Sequence, residues 1–197
     1  MKKKIIFATR NAGKVQEFRQ LLADEDVEVL SLLDFHEMVD IEETGATFEE
    51  NARLKAVAVS LMYGGCVVAD DSGLEVVALN GAPGVYSARY QKAHDDQANM
   101  DRVLKELEKA PGESRAARFV CVLVMIDECG KETVVEGVCE GLIHHEKRGS
   151  NGFGYDPIFY ISELGKTMAE LTNAKKNELS HRGKAFEKLK KIIGDVK

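Results

Sequence analysis

Lys4-Ile5-Ile6-Phe7-Ala8-Thr9-Arg10-Asn11-Ala12-Gly13-Lys14 is the stretch on which the reading of the fold turns. Lys4–Thr9 is a short apolar run of strand length, and it ends in a polar loop. Val15, Phe18 and Leu22 then recur at helical spacing through about Ala23. The chain is therefore expected to open as strand, polar loop, helix. Val27–Leu30 reads as a second strand. Thr47-Phe48-Glu49-Glu50 fits a capping box, with Thr47 as N-cap and Glu50 reaching back. The helix that follows carries Phe48, Ala52, Ala56 and Val59 on about one face, and Gly64-Gly65 stops it. Cys66-Val67-Val68-Ala69 reads as a buried strand ending at Asp70-Asp71-Ser72-Gly73, and Leu74–Leu79 as a further strand. Met100, Val103, Leu104 and Leu107 mark another helix, closed by Pro111-Gly112. Arg115–Asp127 and Glu132–Ile143 read as an antiparallel hairpin around Glu128-Cys129-Gly130. Gly149–Pro157 is a glycine-rich loop, and Ala185, Phe186, Leu189 and Ile192 mark a last helix. Strand–helix alternation followed by a hairpin argues an α/β fold with a mixed sheet. With no repeat and no linker, residues 1–197 are expected to form a single domain.

The 197 residues are 44% hydrophobic, enough for one well-filled core or for two small lobes sharing a sheet. The formal net charge is −6, without the broad basic field that double-stranded nucleic acid demands; no nucleic-acid partner is expected. The apolar run behind Met1-Lys2-Lys3-Lys4 is too short for a signal peptide, and none approaches a membrane span. A cytoplasmic protein with no membrane partner is expected. None of the four cysteines forms a C-x-x-C pair, and Cys66 and Cys121 lie in apolar runs, where buried free thiols are the ordinary reading. His144-His145 lacks a second ligand pair of suitable spacing for zinc.

Four segments bear chemistry. The loop with Asn11, Gly13 and Lys14 precedes a helix N-terminus, where unpaired N–H groups and a partial positive charge attract anions. It is not a Walker A loop, and a simple N-cap by Asn11 accounts equally for the spacing. Asp70-Asp71 follows a buried strand; alternation points the two carboxylates to opposite sides, and such oxygen ligands suit Mg²⁺. Asp-Asp-Ser-Gly is equally good turn chemistry. Glu42-Glu43 is either a further oxygen donor or plain surface. In Gly152-Phe153-Gly154-Tyr155-Asp156, two glycines flank a ring that can stack on a base, or that tucks into the core. Lys175-Lys176-Asn177 and Ser180-His181-Arg182 read as the opening of the last helix, where cations oppose the dipole unless an anion lies near.

Taken together, Thr9–Lys14, Glu43–Ala52, Ala69–Leu74, Pro83–Tyr90, Gly152–Phe159 and Ser180–Arg182 resemble the inosine-triphosphate pyrophosphatase family, the bacterial XTP/dITP diphosphatases. The blocks run in order over nearly the whole chain. The resemblance implies a long, twisted mixed sheet with flanking helices, two lobes around a central cleft, and a homodimer. It implies hydrolysis of ITP, dITP and XTP between the α and β phosphates. Thr9, Arg10, Asn11, Ala12, Gly13, Lys14, Lys55 and Lys176 would hold phosphates; Arg10 stands at a variable position. Glu43 and Asp71 would hold Mg²⁺, with Asp71 also the proton acceptor. Ser72, Phe153, Gly154, Tyr155, Asp156, Lys176, His181 and Arg182 would complete the nucleotide site.

Base choice has a physical account within that resemblance. Deamination turns a 6-amino donor into a 6-oxo acceptor and places a proton on N1. His181 and Arg182 would donate to O6, and Asp156 would accept from N1–H; adenine would leave these groups unpaired. Guanine shares O6 and N1–H, so its rejection must involve the 2-amino group. Two alternatives stand beside this reading. A Maf-type house-cleaning pyrophosphatase would share the sheet and the first loop but not the Gly-Phe-Gly-Tyr-Asp and Ser-His-Arg blocks. A nucleotide-binding sensor without turnover would not need Lys14, Glu43 and Asp71 intact.

Overall fold

The computed structural model describes residues 2–35, 41–110, 112 and 114–195. Seven strands form one mixed sheet in the order β2-β1-β3-β4-β5-β6-β7. β1 (Lys3–Phe7) lies parallel to both β2 (Val27–Ser31) and β3 (Cys66–Val76). β4 (Ala116–Ile126) and β5 (Glu132–Ile143) follow, and the antiparallel β6 (Phe159–Ile161) and β7 (Lys166–Thr167) complete the edge. The helices are α1 (Ala12–Leu21), α2 (Phe48–Tyr63), α3 (Asp96–Leu107), α4 (Asn173–Leu179) and α5 (His181–Asp195). The α/β mixed sheet read from the sequence is the observed architecture.

The chain divides into two compact units, and the division falls within β3, β4 and β5. The first unit comprises Met1–Asp71, Cys121–Gly137 and Ala185–Lys197. Its core gathers Ile5 and Phe7 of β1, Val15 and Phe18 of α1, Cys66 and Val68 of β3, and Phe186 and Leu189 of α5. Phe18 stacks on Phe7 with ring centroids 3.9 Å apart and meets Phe186 edge-on at 4.4 Å. Burying each such side chain contributes about 1.5–3 kcal/mol. The second unit, Ser72–Val120 with Val138–Lys184, has its own core of Leu74, Val76, Met100, Val103, Phe119 and Phe159 among others.

Local chemistry explains the helix starts. Asn11 accepts from the Lys14 amide at 3.1 Å and caps α1. At α2 the capping box is complete: Thr47 Oγ1 accepts from the Glu50 amide, and the Glu50 carboxylate accepts from the Thr47 and Ala46 amides. Such a cap is worth about 1 kcal/mol. Phe48, Ala52, Ala56 and Val59 are all buried along one face, as their spacing predicts.

Three expectations need correction. Asp70-Asp71-Ser72-Gly73 is not a turn: β3 runs unbroken through it for 11 residues, because each carboxylate finds partners on an adjoining helix. Leu74–Val76 is thus the end of β3 rather than a new strand, and Val77–Leu79 is a 3-10 turn. The segment read as one last helix is two, because Ser180 is extended at φ −67°, ψ 156°. Lys176 therefore lies in the last turn of α4, where its charge complements the dipole instead of opposing it. Pro111, expected to close α3, lies outside the described residues, and α3 ends at Leu107.

Candidate active site

Alternation along β3 sends Asp70 and Asp71 to opposite faces, and each face is met by a different helix of the first unit. Lys14 is the third residue of its helix, three positions after Asn11, and pairs with Asp70, whose side chain is fully buried. Asp70 also lies 3.7 Å from the Cys121 thiol. The Lys14 charge predicted for phosphate thus already has a fixed carboxylate partner. Around it, Asn11 and Ala12 are exposed, while Thr9, Arg10 and Gly13 are half-buried. The Asn11 amide donates to Thr9 Oγ1 at 3.2 Å.

On the other face, α2 delivers Asn51 and Lys55, one helical turn apart. Asn51 Nδ2 donates to Asp71 Oδ2 at 3.2 Å, and Lys55 Nζ lies 3.5 Å from Asp71 Oδ1. Lys55 Nζ also donates to Glu43 Oε1 at 2.6 Å. Burial pushes the Asp71 carboxyl above its usual range; Lys55 and Lys14 oppose this, while Glu43 and Asp70 add to it. Burial works against the Lys55 ammonium, but Asp71, Asp70 and Glu43 together outweigh it and hold the group above its ordinary value. Lys55 therefore remains charged between the two carboxylates.

Asn51 has no role in the sequence reading, yet it organises this group. Its Oδ1 accepts the Gly45 amide at 2.7 Å while its Nδ2 holds Asp71. One buried amide thus ties the segment bearing Glu43 to the strand bearing Asp71. Gly45 is required there: a Cβ would stand 2.6 Å from Glu50 Cβ and 2.8 Å from Asn51 Oδ1. The signal in sequence was a polar residue on the apolar face of α2, between Phe48 and Ala52.

The second unit builds an aromatic group. Asp156 accepts from the Phe153 amide at 2.9 Å and from Lys176 Nζ at 2.8 Å, and both side chains of the ion pair are 6% exposed. Burial pushes the Asp156 carboxyl up, against the pull of Lys176, the Phe153 amide and Arg182. Gly152 (φ +80°) permits this loop, for a Cβ would lie 2.0 Å from Asp156 Oδ2. Asp96 Oδ2 accepts the Gly154 amide at 2.7 Å, and Tyr155 donates to the Ser87 carbonyl at 2.8 Å. Lys176 Nζ and the Arg182 guanidinium lie 4.8 and 4.9 Å from the centroid of the half-buried Phe153 ring. Arg182 also donates to Ser72 Oγ at 2.8 Å. His181 is buried, its ring stacked on Phe119 at 4.7 Å. The α4–α5 corner that presents His181 and Arg182 depends on Gly183, where a Cβ would be 1.7 Å from the Asn177 carbonyl oxygen.

The predicted residues thus fall into two groups. Thr9–Lys14, Glu43, Lys55 and Asp71 belong to the first unit; Ser72, Phe153–Asp156, Lys176, His181 and Arg182 belong to the second. Asn51 and Asp96 support them without having been singled out by the sequence, and Asp70, read with Asp71 as a candidate oxygen ligand, is paired with Lys14. Among the described residues, no group of three or more His, Cys, Asp or Glu side chains converges. Glu43 and Asp71, both oxygen donors meeting at one ammonium, are the pair chemically suited to a hard divalent cation.

These features define an α/β protein with carboxylates and lysines gathered in one unit and an aromatic ring faced by cations in the other. The chain belongs to the Ham1 family, whose model matches residues 5–192. It is 53% identical over 194 residues to a dITP/XTP pyrophosphatase of Bacillus cereus, covering 97% of this chain and 95% of that one. It is 54% identical over 197 residues to a dITP/XTP pyrophosphatase of Oceanobacillus iheyensis, covering 98% and 100%. Among solved structures, a HAM1 protein from Coxiella burnetii superposes with a TM-score of 0.90 at 42% identity, covering 98% of this chain and all of that one. The Staphylococcus aureus Ham1 protein gives a TM-score of 0.88 at 43% identity, covering 99% and 100%.

Proposed function

We propose that the chain is a nucleoside-triphosphate pyrophosphatase. It hydrolyses ITP, dITP and XTP between the α and β phosphates, giving the monophosphate and pyrophosphate and clearing deaminated purines from the nucleotide pool. The observation that carries this reading is the gathering of Glu43 and Asp71 about Lys55, in a chain whose relatives are named dITP/XTP pyrophosphatases.

A triphosphate carries about four negative charges near neutrality, and this chain's own cations answer them. Lys14 and Lys55 bind phosphate oxygens, and the Thr9–Lys14 loop adds the amides at the start of α1, while Lys176, paired with Asp156 beside Phe153, serves the base. Glu43 and Asp71 hold Mg²⁺, which when bound neutralises charge that develops on the leaving pyrophosphate. Asp71 orients the attacking water and accepts its proton. Phe153 stacks on the base, with Gly154 and Tyr155 fixing the loop. Arg182 and His181 donate to O6, and Ser72 holds Arg182 ready. Asp156 accepts from N1–H with the lone pairs left beside Phe153 and Lys176.

The two units together act as one pyrophosphatase domain in a cytoplasmic homodimer, independent of nucleic acid and of membranes. No helix among the described residues is long and apolar enough to cross a membrane. A pyrophosphate-release panel over ITP, dITP, XTP, ATP and GTP with Mg²⁺ tests the function. Release confined to the deaminated purines is expected. Binding without release would mark a sensor, and preference for a pyrimidine or other modified base would mark the Maf type.

A further inference from the structure

The Glu43–Lys55–Asp71 group bears on how ion and substrate are linked. Lys55 Nζ donates to Glu43 Oε1 at 2.6 Å and lies 3.5 Å from Asp71 Oδ1, and its side chain is only 12% exposed. Asn51 takes the other oxygen of Asp71. Lys55 thus engages one oxygen of each carboxylate that a hard divalent cation would also require. An ammonium and a divalent cation cannot share that position, because like charges repel strongly where burial lowers the dielectric. Lys14 does not play this part, since its ammonium is paired with Asp70. A lysine stem has four rotatable carbons, so the head can leave while the stem stays against α2.

We propose that Lys55 is the chain's own competitor for the divalent cation at Glu43 and Asp71, and that ion binding releases its ammonium to the phosphates of the substrate. The proposal rests on the functional reading above. One lysine then links two events. It neutralises the carboxylates until the ion arrives, and it adds a cation for the triphosphate only once the ion is held.

The test uses Mn²⁺ as the probe, without nucleotide. Chelator-treated wild type, Lys55→Met and Lys55→Arg are titrated, and free Mn²⁺ is read by electron paramagnetic resonance. Lys55→Met should bind Mn²⁺ at least about 10-fold more tightly than wild type once the like charge is gone, and Lys55→Arg should stay near wild type. Lys55→Met should also melt at a lower temperature without ion and gain more from saturating Mn²⁺. Equal or weaker Mn²⁺ affinity in folded Lys55→Met overturns the proposal. If that variant does not fold, a crystal structure of wild type with Mn²⁺ decides. Nζ beyond hydrogen-bond distance of both carboxylates supports competition, and Nζ still touching both beside the ion refutes it. Pyrophosphate release from ITP by wild type is measured in parallel. With release intact, an adverse Mn²⁺ result overturns the competition alone; with no release, the functional reading falls and takes the transfer to phosphate with it.

Discussion

Asn51→Asp exchanges one buried amide nitrogen for a carboxylate oxygen and leaves volume unchanged. The oxygen that accepts the Gly45 amide is kept, so the backbone tie survives. The group facing Asp71 Oδ2 at 3.2 Å, a donor in the wild type, becomes a second acceptor. Two unit charges 3.2 Å apart at an effective dielectric of about 20 repel by about 5 kcal/mol. That is comparable to the whole stability of a small domain, roughly 5–15 kcal/mol, so the folded pair will retain one proton well into the neutral range. The proton restores a donor, and with it the hydrogen bond. The variant's shared carboxyl therefore has a folded pKa raised above its unfolded value. Its stability is close to wild type below the ordinary carboxylate range and is lost as pH rises through the raised folded value. Urea melts of both proteins from pH 5 to pH 8 measure this. The stability gap should widen with pH towards several kcal/mol. A gap that is the same at every pH would refute the reasoning, because a packing defect does not titrate.

Asp71→Asn should keep the fold and lose about 10²-fold or more in turnover of ITP, as removal of such groups typically does; near-wild-type turnover in the purified variant would misplace the site. Arg182→Ala should lower the ratio of kcat/KM for ITP over ATP by about 10–150-fold, the worth of a hydrogen bond from a charged donor. Steady-state kinetics on both nucleotides read this, and an unchanged ratio would remove Arg182 from O6. Gly152→Ala meets both a positive φ and the Asp156 carboxylate. Displacing Asp156 from Lys176 should cost about 3 kcal/mol or more in a denaturant melt, and a wild-type midpoint would show that the loop yields.

The parts of this protein that follow local rules were legible in its sequence. α2 is announced by its capping box and by the spacing of Phe48, Ala52, Ala56 and Val59, all of them buried. β1, α1 and the β4–β5 hairpin were found within a few residues. The misreading of β3 has a distinct cause. Asp-Asp-Ser-Gly favours a turn by local propensity, and the forces that keep it extended come from Lys14, 56 positions away, and from Asn51 and Lys55. Nothing local announces such pairings. The role of Asn51 is hidden for the same reason, since its two partners are Gly45 and Asp71 rather than helix neighbours. Ser180 looked like part of one helix, but its hydroxyl accepts the Gly183 amide at 3.0 Å and starts a new one. β6 and β7, three and two residues long, are too short to leave a periodic trace. The site residues named through family resemblance were gathered into groups, yet which carboxylate meets which lysine required the fold.

The alternation of Asp70 and Asp71 across β3 constrains how this chain can change length over evolution. Inserting or deleting one residue between Gly65 and Asp70 would exchange the faces of the two carboxylates, giving α1 the one meant for α2. Inserting two would restore the faces but carry both about 7 Å along the strand, beyond the lysines that now meet them. The number of residues from Gly65 to Asp71 is therefore as much a part of the site as the carboxylates, and length variation is tolerable only where no strand has to keep count.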